Sequence, residues 1–374
     1  MKTARFHWGE PPWPRGSDLP LNSNLPTPTN PDVAIIGAGL TGTSTALHLA
    51  RRGIRSVVYE AGQVADGASG RTGGLVLEST AAGPRDEVNT CVSGLERIVA
   101  EERIDCNLVL PGCWEIEHHE APSEKMLPWS DAGQPVCITK NVTGGVVQPM
   151  ALTMGLARAA IRSGAIIREH SRVTRISFEP EMAIEIGGER ITPGHIVIAT
   201  NAWINALLPD APPLSSCLTF ACATAPLDRA VLAAIGLERG IPFYTTDMPY
   251  LWGRTNSDGR VIFGAGLVFG APDNLESVDV REGESHAVLE RMQQRVRGLH
   301  PRLAQVPFSA AWGGPIAFGA GAIPLLGAHP LHHRVMVSGG YAGHGVALSV
   351  RAGELLALAI AENRPLPKWG SLIR

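Results

Sequence analysis

The sequence predicts an α/β unit assembled from separated stretches of chain, joined to a mostly antiparallel α+β unit. Three observations carry this. An apolar strand, a glycine-rich turn and a helix follow one another in residues 32–52. The same strand-then-glycine order returns in residues 335–363. Between them, residues 214–318 read as a run of strands interrupted by one helix, the pattern of an antiparallel sheet with its helix set apart.

The first observation is the most informative. Val33, Ala34, Ile35 and Ile36 are apolar without a break, as a strand covered on both faces requires. Gly37, Gly39 and Gly42 follow in Gly-x-Gly-x-x-Gly spacing. Residues 41–52 carry Ala46, Leu47, Leu49 and Ala50 at helical spacing, and Gly53 stops them. A second strand, Ser56 to Tyr59, ends at Glu60. Gly37 permits a tight turn, Gly39 lets the backbone approach a pyrophosphate, and Gly42 lets the helix pack on the strand. The helix N-terminus offers unpaired N–H groups and a positive dipole end. Glu60 lies 18 residues beyond Gly42, where a carboxylate accepts from a ribose hydroxyl. Its charge disfavours a 2′-phosphate, so NADP is not expected. This context turns a weak motif into a Rossmann-like dinucleotide site, with FAD and NAD both compatible.

Composition bounds the alternatives. The 374 residues suffice for two domains, and 44% hydrophobic with 18% charged residues suits a globular core. A net charge of −3 gives no basic surface for nucleic acid. Only Lys2, Lys125, Lys140 and Lys368 are available for lysine chemistry. Six cysteines are scattered without a C-x-x-C pair, as buried thiols of a cytoplasmic protein are. Cys106, Cys113 and His118 fit no zinc spacing, and no metal is expected. Residues 1–30 are proline-rich with no apolar run, so they read as an extended arm, not a signal peptide or membrane span.

The remaining elements follow in order. Residues 61–74 hold five glycines, and their backbone N–H groups can form an anion-binding nest. Residues 86–102 read as a helix with Val88, Cys91, Leu95, Ile98 and Val99 on one face. Residues 106–143 are short strands and proline-bearing loops, with His118 and His119 on opposite faces as structural or exposed side chains. Residues 150–163 form a helix stopped by Gly164, and residues 165–185 two short strands. His195 to Ile198 is a strand running into Ala199, Thr200, Asn201 and Ala202, small residues that admit a ligand at its carboxyl end, followed by Trp203. In residues 214–318 the strands are 216–225, 250–254, 260–269 and 308–312, with a helix over 285–297. Tyr250, Trp252, Phe263, Phe269 and Trp312 are either pocket or core aromatics. Val335 to Ser338 is a strand, residues 339–345 a glycine turn, and residues 346–363 the closing helix. The boundaries expected are 31–85, 145–213 and 325–374 for the nucleotide domain, and 86–144 and 214–324 for a substrate domain.

Taken together, these motifs resemble the FAD-dependent D-amino acid oxidase-like family, which includes glycine oxidase and sarcosine oxidase. The resemblance spans nearly the whole chain. It rests on the Gly37–Gly42 turn, Glu60, residues 67–74 (Gly-Ala-Ser-Gly-Arg-Thr-Gly-Gly), residues 199–203 and residues 340–345 (Gly-Tyr-Ala-Gly-His-Gly). Residues 67–74, Trp312-Gly313-Gly314, the last glycine turn and the arm's Trp8, Pro11, Pro12 and Pro14 look closest to its γ-glutamylputrescine oxidase-like branch. The resemblance implies FAD in place of NAD. It implies that Gly37, Gly39, Leu40, Thr41 and Gly42 bind the pyrophosphate, and Glu60 with Ala61 the adenosine ribose. Ser69, Gly70, Arg71, Thr72, Gly73 and Gly74 would approach the ribityl chain and ring, and Val173 the adenine. Ala199, Thr200, Asn201 and Trp203 would pass beside the cofactor, while Gly340, Gly343, His344 and Gly345 would face the flavin edge.

Departures from the family pattern are informative. Glycine oxidase-like members carry an arginine after the tryptophan of the late strand, where this chain has Trp312-Gly313-Gly314, and can carry another where Gly343 stands. A buried carboxylate without a partner costs several kcal/mol. The substrate is therefore expected to lack an α-carboxylate, or to use Arg254. No flavin-linking cysteine lies near Trp312, and Arg71 stands where some relatives have a flavin-linking histidine, so non-covalent FAD is expected. Asp247, Tyr250, Trp252, Trp312 and His344 are the catalytic-site candidates; Asp247 either steers an ammonium group or is a solvated loop acid. The expected reaction is oxidation of an amine C–N bond by hydride transfer to flavin, followed by imine hydrolysis. No lysine falls in these motifs, so oxygen and another electron acceptor both stay open. A NAD-linked dehydrogenase, and a flavin-holding subunit that needs a partner, are the competing readings.

Overall fold

The computed structural model describes residues 6–16, 28–119, 125–247 and 250–372. Much of the predicted arm, residues 1–5 with Lys2 and residues 17–27, lies outside them. A six-stranded sheet runs in the order Leu325–Ala328, Val335–Gly339, His195–Ile198, Val33–Ile36, Ser56–Tyr59, Ile166–Arg168. Every neighbouring pair is parallel except the first. The four residues Val33–Ile36 are all buried, as their unbroken apolar run requires, because helices cover the sheet. The helix Leu40–Ala50 lies against Gly345–Glu362, and the Ser44 hydroxyl donates to the Val350 carbonyl at 2.7 Å. A Cβ at Gly353 would stand 2.7 Å from the Thr41 carbonyl oxygen, so glycine sets how closely these helices approach.

An eight-stranded sheet runs Phe308–Phe318, Ser215–Thr224, Val261–Phe269, Trp252–Thr255, Phe243–Thr245, Cys113–His118, Gln134–Val142, Met126–Asp131. Its pairs are antiparallel apart from Phe243–Thr245 with Cys113–His118. Phe220, Phe243 and Phe263 are fully buried in its core.

Several elements differ from the sequence reading. The helix expected from residue 86 begins at Cys91 (Cys91–Glu102), because the Glu78 carboxylate accepts the N–H groups of Cys91 and Val92 and caps it there. Residues 165–185 hold three strands, not two: Ile166–Arg168, Val173–Ser177 and Ala183–Ile186. The first break falls at His170, where the chain turns with φ +54° and His170 and Ser171 bond back to Gly62 and Glu60. The expected single helix of the later region, Gly283–Gly298, is joined by the short Arg229–Ala234 and Pro272–Glu276. Asp228 caps the former through the Val231 N–H. The strand Phe308–Phe318 is twice its expected length, since it pairs along the whole of Ser215–Thr224. All six cysteines are buried and free. Among the described residues no helix is long and apolar enough to cross a membrane.

Candidate active site

The two glycine turns meet at one place. The Thr41 hydroxyl lies 2.6 Å from the Tyr341 hydroxyl, which also reaches Ser338 at 2.8 Å. Beneath them opens a cavity of about 350 Å3, between the carboxyl ends of the parallel strands and one face of the eight-stranded sheet, within the size range of small-ligand sites.

The first turn is built for close backbone approach. Gly37 has φ +101°, and a Cβ there would lie 2.8 Å from the Ala199 carbonyl oxygen. A Cβ on Gly39 would lie 2.7 Å from Ser69 Oγ, and one on Gly42 would overlap the Gly37 carbonyl oxygen. Leu40 N–H donates to Ser69 Oγ at 2.9 Å, and the helix has no side-chain cap. Gly39, Leu40, Thr41 and Ser69 all line the cavity. Glu60 accepts from the N–H groups of Ala38 (2.8 Å) and Gly62 (2.9 Å), and burial nevertheless raises its pKa. Ala61 lies next to it on the surface. Val173 sits two residues beyond Ser171, whose N–H donates to the Glu60 carbonyl.

The glycine-rich loop closes the next wall. Residues Ala68–Arg71 form one helical turn, and Arg71, Thr72 and Gly73 line the cavity. Gly70 and Gly74 do not; each packs its backbone against a neighbour, Gly70 on Ala65 and Gly74 on Val147. The Arg71 guanidinium turns outward: Nη1 donates to the Gly9 carbonyl at 2.8 Å, and the group lies 5.4 Å from the Trp8 ring. Trp252 lies flush between Gly73 and Gly264, where either Cβ would overlap its indole. Trp312 is buried and its Nε1 donates to the Arg71 carbonyl at 2.8 Å. The Tyr250 hydroxyl donates to the Gly266 carbonyl at 2.9 Å and takes the Thr219 hydroxyl at 2.6 Å.

The last wall is the second glycine turn. Gly343, His344 and Gly345 line the cavity, as do Ala199 and Asn201, whose Oδ1 accepts the Gly340 N–H at 2.8 Å. Burial lowers the pKa of His344 against the opposing effect of the Ala342 backbone, and its Nδ1 is buried with no hydrogen-bond partner among the described residues. Thr200 Oγ1 is likewise buried and unpartnered.

Some expected residues stand elsewhere. Asp247 is not on the cavity wall: its Oδ2 accepts His118 Nδ1 at 2.6 Å and His118 N–H at 3.1 Å. An imidazole with a carboxylate on each ring nitrogen outcompetes a free ammonium role. Trp203 packs 6.4 Å from Trp8 within the sheet core and does not line the cavity. Phe263 is core and Phe269 is exposed. Arg254 is buried beneath the Trp13 ring at 5.6 Å and off the cavity wall, so it is no carboxylate partner there; burial lowers its pKa to about 10. Tyr341, Tyr244 and Thr219 line the cavity without having been singled out as site residues. Tyr341 lies inside a quoted glycine motif, whereas Thr219 and Tyr244 carry no local signal at all.

A buried, glycine-walled helix N-terminus, an acid at the end of the second strand and an apolar cavity define a dinucleotide-dependent enzyme. The cradle fits such a group: the N-cap residue Gly39 brings no side-chain bond to the helix N-terminus, and His344 Nδ1 on the cavity wall has no hydrogen-bond partner among the described residues. Residues 32–359 match the family described as FAD dependent oxidoreductase, and the chain belongs to it. It is 27% identical to γ-glutamylputrescine oxidoreductase of Escherichia coli K12, over 87% of this chain and 82% of that one. It is 23% identical to glycine oxidase of Bacillus licheniformis, over 90% and 95%. The fold superposes on the crystal structure of glycine oxidase from Geobacillus kaustophilus with TM-score 0.72 at 20% identity, covering 92% of this chain and 99% of that one.

Proposed function

We propose that this FAD-dependent oxidoreductase oxidises the C–N bond of an amine that carries no carboxylate on the reacting carbon. One observation supports this above the rest. Among the described residues, the cavity lining holds no carboxylate, and its one permanent charge, Arg71, is spent on the Gly9 and Gly313 carbonyls. Such a wall neither neutralises a substrate carboxylate nor holds an ammonium ion. The amine must therefore bind uncharged, among Tyr250, Trp252, Trp312 and Leu251. When bound, FAD supplies the acceptor for the electron pair and hydrogen leaving the carbon, and the imine product is hydrolysed by water. The chain supplies orientation and exclusion of water.

In this reading Gly39, Leu40 and Thr41 meet the pyrophosphate, Glu60 the adenosine ribose, and neutral His344 the ring edge. In this reading residues 31–85, 145–213 and 325–374 are the FAD-holding unit, and 86–144 with 214–324 the substrate unit; the strand membership of the two large sheets supports those bounds, while the helix Cys91–Glu102 packs against Gly345–Glu362 and belongs with the first unit. No cysteine lines the cavity, which supports non-covalent FAD. The free buried thiols support a cytoplasmic setting.

The test is anaerobic reduction of the purified yellow protein by a panel of amines, polyamines and N-methyl amino acids. Amines without an α-carboxylate should bleach it, at rates that climb with pH up to the amine's own pKa. Selective bleaching by α-amino acids would sink the proposal. A second reading concerns the acceptor. Among the described residues no lysine lines the cavity, which favours passage of electrons to a carrier other than oxygen. Absence of hydrogen peroxide during aerobic turnover would support that reading, and stoichiometric peroxide would refute it.

A further inference from the structure

The segment of residues 6–16 runs from the eight-stranded sheet to the glycine-rich loop, behind the cavity lining. Gly9 bridges Trp312 of the long strand, the Trp8 carbonyl accepts the Gly313 N–H at 2.6 Å, and Trp8 Nε1 donates to the Leu275 carbonyl at 2.7 Å. These contacts anchor the segment on the eight-stranded sheet. Its far end grips the glycine-rich loop. Trp13, 8% exposed, donates from Nε1 to the Gly70 carbonyl at 2.9 Å. Its ring meets Trp312 edge-on at 5.4 Å, and Arg254 lies over it. Arg15 pairs with Asp66 and donates to the Val64 carbonyl.

The loop needs such a grip. Residues 61–74 contain five glycines, which lose the most conformational freedom on ordering and bring no side chains of their own. Yet the cavity wall depends on this loop: Ser69 bonds the N-terminus of the first helix, and Arg71, Thr72 and Gly73 line the cavity. Trp13 touches the back of both lining elements, the Gly70 turn and Trp312, while standing outside the lining itself.

We infer that Trp13 is a positioning residue for FAD: with the rest of residues 6–16 it clasps the glycine-rich loop in its cofactor-ready shape before FAD arrives. The inference rests on the FAD reading above. Ordering paid for in advance by the arm is not subtracted from cofactor affinity. Loss of the clasp shifts that cost onto binding.

The experiment measures FAD dissociation constants, by quenching of flavin fluorescence, for the cofactor-stripped full chain and for Trp13→Ala and Trp13→Phe. Melting temperatures of the same FAD-free proteins are recorded alongside. Trp13→Ala should weaken FAD at least roughly tenfold, the sum of one hydrogen bond and one aromatic contact. Trp13→Phe keeps a ring against Trp312 and loses only the N–H to Gly70, so it should fall between, with the FAD-free melting temperature near wild type. The visible circular dichroism of bound flavin should change in both variants. An unchanged dissociation constant in Trp13→Phe and Trp13→Ala overturns the inference. So does a loss of affinity in Trp13→Ala that merely parallels a fall in FAD-free melting temperature, with Trp13→Phe binding as wild type. Should Trp13→Ala not fold, the Trp13→Phe constant decides alone. A wild-type chain that takes no FAD would instead sink the cofactor reading, which is thereby told apart.

Discussion

At the scale of single residues, the glycines of the first turn and Glu60 at the end of the second strand were legible, and the setting of Asp247 was not. Gly37, Gly39 and Gly42 act within one turn, and their demand for missing side chains is written in adjacent positions. Asp247 depends on His118, 129 residues away, which no local pattern discloses. The same locality makes Gly42 a clean test. An alanine methyl there would overlap the Gly37 carbonyl oxygen and crowd Ile35, so helix and strand must separate. Overpacking of this kind costs about 1–3 kcal/mol, and the uncapped helix end moves with it. Gly42→Ala should melt several degrees below wild type and purify with little flavin. A yellow Gly42→Ala protein of wild-type stability would show that the close approach is not needed.

At the scale of elements, the strongest tie that sequence patterns concealed joins four of them. Asp131, on the edge strand Met126–Asp131, is 4% exposed and accepts from Arg295 Nε at 2.9 Å and from His118 Nε2 at 2.9 Å. Arg295, on the helix Gly283–Gly298, also donates to the Tyr250 carbonyl at 3.0 Å. His118 thus fastens its strand to Asp131 and Asp247, and Arg295 holds the backbone of a cavity residue. Short apolar runs between the prolines of residues 106–143 announced strands there, but gave neither their order nor the polar side chains that meet at their ends. For His118, burial opposes the charged form, yet carboxylates on both ring nitrogens win and its pKa is raised. A raised folded value stabilises fully below the unfolded pKa near 6.5 and is lost as pH climbs through the folded value. The stability difference between wild type and His118→Gln should therefore be largest near pH 6 and shrink toward pH 9. A difference that grows with pH would contradict the double pairing. For Asp131→Ala, which removes the buried carboxylate that Arg295 and His118 share, the loss should be about 3 kcal/mol in urea unfolding.

At the scale of the molecule, the repeated order of strand, glycine turn and small residues made the convergence of distant segments readable. Each such unit ends at the carboxyl edge of a parallel strand, so three of them in one sheet must face one place. The tie between the two sheets was not readable, because its contacts join residues far apart in the chain: Trp8 and Gly9 with the strand at Trp312, Trp13 with Gly70, Trp312 with the Arg71 carbonyl, and the Ala342 N–H with the Ala317 carbonyl. That tie has a thermodynamic consequence. In the reading proposed above FAD would bind the folded form across segments drawn from both ends of the sequence, so at a hundredfold excess over its dissociation constant it should add about 2.7 kcal/mol. For a chain of this length that is a rise of about 3 °C in melting temperature. Because residues 6–16 hold the glycine-rich loop to the eight-stranded sheet, the rise should appear in one cooperative transition that carries both sheets. Calorimetry with and without FAD distinguishes the cases: two transitions, only one of them moved by FAD, would mean that the sheets unfold separately and that the arm does not couple them.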